Sequence, residues 1–445
     1  MKSDELILYR HFKHGEILKK MEGLMSGQIN DPGVYYEVLH ELIELAESHG
    51  YRGNLWHAYL TYLLANNENA YSMACEIRGK VEGSVNDVAL HDFNIFREFF
   101  TFDLSSLDKK FKNSGMAVIS NYTATSDSGK MFNERIRDRI CNLSRQLGGA
   151  ISAYEIDNLV TQFYKEFGVG KFGLHKAFRV EHLSKEEAEL QDGNNSYAGS
   201  EVYIKPITNI PHVHLEDLIG YEIPKQKLID NTEAFLSGRK ANNCLLFGDA
   251  GTGKSSSIKG ILNKYYDRGL RIIEIYKHQF KDLNEVIAQI KNRNYKFIIY
   301  MDDLSFEDFE IEYKYLKAVI EGGLERKPDN VLIYATSNRR HLVREKYSDK
   351  EERQDDLHTN DTVQEKLSLV ARFGVTIYFG SPDKKEFNNI VLELAKRNNI
   401  KMDEEQLLLE ANKWELSHGG LSGRTAAQFI DYLVGTYQVK NEQQN

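Results

Sequence analysis

The spacing of apolar positions changes character about halfway along the 445-residue chain. From Glu5 to about Lys205 it is helical. Tyr35, Val38, Leu39 and Leu42 form one stripe, Leu55, Tyr59, Tyr62 and Leu63 a second, and Ile156, Leu159, Val160 and Phe163 a third. Phe96, Phe99 and Phe100 make an aromatic patch near Phe93. At helical spacing, with no interleaved basic run, such stripes read as core rather than as a base-stacking platform or partner groove. The pattern predicts a mainly helical N-terminal domain over 1–205. It closes in a polar linker, Glu186 to Ser200, and a short alternating piece, Val202-Tyr203-Ile204.

Beyond Pro206 and Pro211, short apolar runs alternate with helical spacing. Cys244 to Phe247, Leu270 to Ile275, Phe297 to Tyr300, the run from Val331 and Val375 to Phe379 read as buried strands. Between them lie helical faces. Leu218 through Asn231 and Phe235 make one, and Ile258, Ile261, Leu262 and Tyr265 the next. Leu283, Val286, Ile287 and Ile290 follow Asp282 and Glu285, which resemble a capping box. Tyr313, Leu316, Val319 and Ile320 stop at Gly322-Gly323. Phe387, Ile390, Val391 and Leu394 follow Ser381-Pro382, read as N-cap and first-turn proline. The alternation predicts an α/β core with a parallel sheet over 206–380, and a helical lid over 381–445.

Chemistry enters at the strand ends. The first strand runs into Gly248-Asp249-Ala250-Gly251-Thr252-Gly253-Lys254-Ser255, with Ser256 next, a G-x-x-x-x-G-K-S loop between a strand and a helix. Glycines let successive amides turn inward on phosphate oxygens, and the following helix adds its positive end. Lys254 is placed for the β- and γ-phosphates and the Ser255 hydroxyl for Mg²⁺. The third strand delivers Asp302 and Asp303 to the edge where open α/β sheets bind ligands. Asp302 is placed to hold Mg²⁺ and Asp303 to orient or deprotonate the attacking water. The next strand ends in Thr336-Ser337-Asn338, where Asn338 reads either as a γ-phosphate or water contact or as a turn-forming Asn. Ile219 and Gly220, upstream of the loop, are candidate adenine neighbours on a weak pattern.

Gly168-Val169-Gly170-Lys171-Phe172-Gly173 matches G-x-G-x-x-G, but an amphipathic helix precedes it where a dinucleotide site needs a strand. It reads as a helix-ending turn. Arg339-Arg340-His341 and Arg344 are close to acidic Glu351, Glu352, Asp355 and Asp356, so a solvated segment is favoured over a nucleic-acid contact. The formal charge of −9 also argues against a dedicated nucleic-acid surface. Cys75, Cys141 and Cys244 are far apart and lack metal-ligand spacing, which suits a reducing compartment. No signal-peptide core and no membrane-length apolar run is visible, so a cytoplasmic location is the expectation.

In this order, the pieces from about Asp217 to Leu433 resemble the AAA+ ATPases. The resemblance implies that Asn338 is sensor 1. It implies too that Arg372, in Val370-Ala371-Arg372-Phe373-Gly374, is an arginine finger reaching a neighbouring subunit, and that Arg424, in Gly420-Leu421-Ser422-Gly423-Arg424, is the lid arginine, sensor 2. The whole chain is similar to an uncharacterised bacterial AAA+ family, a domain of unknown function with an N-terminal helical region. That family carries the runs found here at 302–306 and 334–341. Membership of that kind implies an ATP- and Mg²⁺-dependent hydrolase that drives a conformational switch. It also implies a nucleotide-dependent homo-oligomer, and an unidentified protein partner met through the helical region.

Three departures qualify the resemblance. Asp303 stands where most AAA+ proteins have Glu, which implies slow hydrolysis. Tyr276 to Phe280 lacks the aromatic-apolar-glycine trio of polypeptide-threading rings, and no guanine-reading Asn-Lys-x-Asp is present. The rival reading is a nucleotide-gated loader or adaptor for a nucleic-acid machine, with little hydrolysis of its own. A small-molecule kinase is disfavoured, because it needs no Asn338, Arg372 and Arg424 together.

Overall fold

A computed structural model describes residues 2–125, 134–184, 202–306, 312–321, 328–338 and 369–442. The linker Glu186 to Ser200, Gly322-Gly323, Arg339-Arg340-His341, Arg344 and the acidic residues after it lie outside the described residues. The chain divides into two units, Met1–Asn209 and Ile210–Asn445.

The first unit is built from α1 (Gly15–Ser26), α2 (Pro32–His49), α3 (Leu55–Asn66), α4 (Ala70–Arg78), α5 (Ser84–Thr101), α6 (Ser105–Phe111), α7 (Gly115–Ser120), α8 (Glu134–Gly148), α9 (Ala153–Phe167) and α10 (Gly170–Leu174). Helix α3 is apolar on nearly every face and is correspondingly central, in contact with α2, α5, α8 and α9. Its Trp56 stacks on Tyr59 at 5.5 Å and donates its indole N–H to the Phe99 carbonyl at 2.9 Å. The Tyr and Phe stripes are core, in one apolar cluster from Leu6 to Leu174. Gly168 ends α9 at φ 80°, its amide bonded to the Tyr164 carbonyl at 2.9 Å. A Cβ at Gly170 would meet Glu68 Oε1 at 2.1 Å, so this glycine leaves room for the Glu68 side chain from the turn between α3 and α4.

The unit ends in an antiparallel pair, β1 (Ala177–His182) and β2 (Val202–Pro206), in register from Phe178↔Pro206 to His182↔Val202. Sequence patterning picks out only the second strand. The buried positions of β1, Ala177, Phe178 and Val180, are too few to stand out beside the helical glycine turn.

The second unit continues with α11 (Glu222–Leu236), β3 (Cys244–Gly248), α12 (Lys254–Tyr265), β4 (Leu270–Glu274), α13 (Leu283–Ile290), β5 (Lys296–Met301), α14 (Glu312–Glu321), β6 (Val331–Ser337), β7 (Val375–Phe379), α15 (Lys384–Arg397), α16 (Glu404–Ser417) and α17 (Gly423–Glu442). The strands are parallel and adjacent in the order β4-β5-β6-β3-β7. From β3 the chain runs out to β4, returns through β5 and β6, then crosses to the other side of β3. The carboxyl end of β3 is therefore a switch point, where open α/β sheets form a ligand crevice. Every residue of β6 is buried, as a strand covered on both faces requires.

Two expected helix starts are corrected. Asp282 makes no side-chain cap to α13: its backbone is already helical (φ −88°, ψ −4°), because a 3₁₀ turn over Lys277–Asp282 feeds the helix directly. Ser381 is not the N-cap of α15. Its amide is held by Asp249 Oδ2 at 2.8 Å, and Asp383 caps the helix in a capping box with Glu386. The last three helices enclose an apolar cluster of their own, against which Ile219 packs.

Candidate nucleotide site

The loop after β3 is shaped by close approach. Gly248 sits at φ 135°, and a Cβ there would lie 2.0 Å from the Phe379 carbonyl oxygen. Only glycine lets the β3 end lie this close to β7. Gly251 sits at φ 75°, a Cβ there would come within 3.0 Å of Arg424 Cβ and Ser422 Oγ, and the Arg424 amide donates to the Gly251 carbonyl at 3.1 Å. The start of α17 thus rests directly on the loop.

Lys254 opens α12 and is buried. Its amine donates to the carbonyls of Gly248 at 2.9 Å and Asp249 at 2.5 Å. Burial lowers the amine from its ordinary value, against the opposing pull of Asp249, Asp303 and Asp302.

The acids arrive by register. Met301 pairs with Ala335, so the next step of the parallel ladder sets Asp302 beside Thr336. Asp302 Oδ1 accepts from Ser255 Oγ at 2.7 Å and from Thr336 Oγ1 at 2.6 Å. Burial pushes the Asp302 carboxyl up, but the Thr336 and Ser255 hydroxyls that donate to it, with Lys259, outweigh it and hold the group below its ordinary value. Asp303 sits at φ +50°, an uncommon conformation for a side-chain-bearing residue. Its amide donates to Thr336 Oγ1 at 3.0 Å, and its Oδ1 accepts from Asn338 Nδ2 at 2.8 Å. Ser255, Asp302, Thr336, Asp303 and Asn338 therefore form one hydrogen-bonded chain across the ends of three elements.

A cleft of about 550 Å³ joins these groups. Its walls include Ile219, Ala250, Gly251, Thr252, Gly253, Lys254, Ser255, Ser256, Asp302, Asp303, Asn338 and Arg424. Gly248 and Asp249 form the entry to the loop, and Gly220, at φ 79°, lies beside Ile219. Arg372 does not line the cleft; it lies in the turn before β7, its amide bonded to the Leu369 carbonyl at 3.2 Å.

Several cleft groups escape sequence reasoning. Leu218, Tyr221, Ile390, Leu394 and Ala427 give it an apolar end. Tyr221 sits at φ 59°, packs its ring at a tilt against Phe379 with centroids 5.5 Å apart and donates its hydroxyl to the Gly380 carbonyl at 3.0 Å. Burial, with Glu386 and Asp249 nearby, pushes that hydroxyl up to about 12, so it remains a donor. Thr336 was legible only as part of a polar run; its pairing opposite Asp302 is a property of register.

A parallel sheet in this order, with the glycine loop joining β3 to α12 and a helical lobe resting on it, is the α/β P-loop NTPase fold in its AAA+ arrangement. Residues 193–437 match the family model described as "Protein of unknown function (DUF815)". The chain belongs to this family. Curated relatives matching the DUF815 chain include the chaperone protein ClpB of Rickettsia conorii, 26% identical over 137 residues, and that of Rickettsia typhi, 27% identical over 148. These matches take in 26% and 29% of this chain, but only 16% and 17% of the ClpB chains. Among solved structures, the Thermotoga maritima RuvB Holliday junction branch migration motor matches 52% of this chain and 66% of its own, at 15% identity and a TM-score of 0.37. The FIGL-1 AAA domain in complex with ADP matches 51% and 74%, at 16% and 0.35. Neither likeness bears on ligand or partner. Among the described residues no helix is long and apolar enough to cross a membrane, and no cluster of three His, Cys, Asp or Glu side chains could hold a metal.

Proposed function

We propose that this protein binds ATP with Mg²⁺ in the cleft at the β3 switch point and hydrolyses it to ADP and phosphate. The observation that carries the reading is the hydrogen-bonded chain from Ser255 through Asp302, Thr336 and Asp303 to Asn338, beside the glycine loop and Lys254. The donor set fits a small hard cation: a hydroxyl and a carboxylate, oxygen ligands both, share one hydrogen bond. The glycine loop fits a phosphate tail, since a Cβ at Gly248 would collide with the Phe379 backbone and one at Gly251 would crowd the Arg424 and Ser422 side chains.

In this reading the amides of 249–255 and the positive end of α12 cradle the phosphates. The Lys254 amine leaves the loop carbonyls for phosphate oxygens, a move favoured because those carbonyls offer it no counter-charge. Ser255 and Asp302 would hold Mg²⁺, which neutralises developing charge on the phosphates. Asp303, fixed by Asn338 and by its own amide on Thr336, orients the attacking water and takes its proton. Asn338 then senses the γ-phosphate through the same contact. The apolar end formed by Leu218, Ile219, Gly220, Tyr221 and Ile390 suits the adenine ring.

Arg424 reports the nucleotide to the lid, since its backbone is already bonded to the loop at Gly251. Arg372 lies outside the cleft, which suits a role toward the γ-phosphate of a neighbouring copy in a nucleotide-dependent homo-oligomer. The helical unit carries the response to a protein partner. Calorimetric titration with ATP and Mg²⁺ tests the core of the reading. Heat of binding is expected for the natural chain and none for Lys254→Ala; a silent natural chain would refute it. A particle mass that stays monomeric in ATP would remove the role given to Arg372.

A further inference from the structure

Tyr300 lies on β5, two residues before Asp302, which directly follows the strand, so the alternation of the strand carries both toward the same face. Its ring is 4% exposed, and its hydroxyl is buried without a completed hydrogen bond. A buried hydroxyl left unpaired is costly, and most native ones find a partner. The contrast with its neighbour on β6 is direct. Tyr334, paired with Tyr300 in register, is equally buried, but its hydroxyl meets Asn231 Nδ2 and Thr232 Oγ1, both at 3.0 Å.

Polar groups surround the Tyr300 hydroxyl. Ser255, Thr336 and Asp302 are all beside it, and the Asp302 carboxylate is the main charge acting on it. Asp302 Oδ1 already accepts from Ser255 and Thr336, as many donors as its two lone pairs hold. A phenol is neutral at ordinary pH and has one O–H to give, so toward the Asp302 carboxylate it can act only as a neutral donor.

We propose that Tyr300 is a positioning residue for Asp302, whose hydroxyl takes the place of Ser255 on the carboxylate when the Ser255 oxygen turns to a divalent cation. The proposal rests on the nucleotide reading above. It adds a donor held in reserve: Thr336 and Tyr300 keep the carboxylate aimed while Ser255 changes partner. The exchange swaps one hydrogen bond for another, and no proton is transferred.

Tyr300→Phe tests it, because the change removes one oxygen and keeps the ring. Mg²⁺ is titrated against protein and a non-hydrolysable ATP analogue, with binding followed by calorimetry and a parallel series in EDTA. Tyr334→Phe, the same deletion in the paired tyrosine, is the control. The expected result is a Mg²⁺ midpoint raised roughly 10-fold in Tyr300→Phe, the size of one lost hydrogen bond to a charged group. Its metal-free nucleotide affinity stays at the natural value, and Tyr334→Phe keeps the natural midpoint. A general loosening of the sheet would instead weaken metal-free binding or move both variants. Equal Mg²⁺ midpoints for Tyr300→Phe and the natural chain would overturn the role of Tyr300 and leave the nucleotide site standing. A natural chain that binds no nucleotide with or without Mg²⁺ would overturn both.

Discussion

Asp92 in the helical unit and Asp302 in the α/β unit are both held by several donors, and the kind of donor separates them. Asp92 is fully buried and accepts the backbone amides of Ile7 at 3.0 Å, Leu8 at 2.8 Å and Tyr9 at 3.0 Å. Those amides are fixed by the chain and have nowhere else to go. Asp302 opens on the cleft and accepts two hydroxyls, each a single rotation from another partner. Buried tyrosine hydroxyls show the same two states, although not unit by unit, since Tyr334 of the α/β unit is bonded as well. In the helical unit Tyr9 and Tyr164 share a bond at 3.0 Å, Tyr59 donates to the His14 carbonyl at 2.9 Å and Tyr71 donates to Asp157. In the α/β unit Tyr300 has no such bond. Saturated polar groups specify one packing, whereas exchangeable ones can follow a ligand.

The largest effect that sharpens the comparison is at Asp303. Asp303→Asn keeps an oxygen for Asn338 Nδ2 but cannot take a proton from water. Nucleotide binding should persist while hydrolysis falls roughly 100- to 1,000-fold, the usual share of a general base. A phosphate-release assay on purified protein checks it. Full turnover in the variant would remove Asp303 from the reaction and leave its contact with Asn338 as structure.

The same division sets what could be read without the fold. The strands of the α/β unit were legible because burial on both faces demands unbroken apolar runs, as in Val331-Leu332-Ile333-Tyr334. The loop was legible because each of its glycines answers a steric need, such as the 2.0 Å approach at Gly248. Thr336 was not, since a threonine in a strand is ordinary and only the Met301↔Ala335 register sets it against Asp302. Tyr300 counted as one more apolar letter, its hydroxyl hidden by its ring. Ser381 looked like a cap because nothing local says that Asp249, 132 positions earlier, holds its amide. Short-range chemistry shows in the letters; partners across the sheet do not.

A second prediction weighs the saturated side. Asp92→Ala strips a buried acceptor from three amides at once, which costs at least about 3 kcal/mol when each buried donor is left unmet. The chain has two tryptophans, Trp56 in the helical unit and Trp414 in the other. In a Trp414→Phe background, urea unfolding followed by fluorescence reports the helical unit through Trp56. The midpoint should fall sharply with Asp92→Ala, while the calorimetric ATP affinity of the α/β unit changes little. A stability within about 0.5 kcal/mol of the parent, the range of an ordinary surface substitution, would show that those amides find other partners.

The smallest effect per step is in acid, and it belongs to the helical unit. His49 is buried, stacks on Tyr51 with ring centroids 5.4 Å apart and donates Nδ1–H to the Leu45 carbonyl at 2.9 Å. Burial, with His14 and Lys13 nearby, lowers it from 6.5 to about 4. As pH falls, the unfolded chain therefore takes up this proton before the folded one does. The contribution of neutral His49 is complete above pH 6.5, declines at about 1.4 kcal/mol per unit and levels off below about pH 4. The total is roughly 3 kcal/mol from this side chain. His14 and His57, also lowered by burial, add to the slope in the same direction. With Trp56 as sole reporter, His49→Gln should flatten the pH dependence between 6.5 and about 4 by the share of one proton. An unchanged slope would place the acid sensitivity on other groups and would weaken the picture of a helical unit whose buried polar groups are locked in one protonation state.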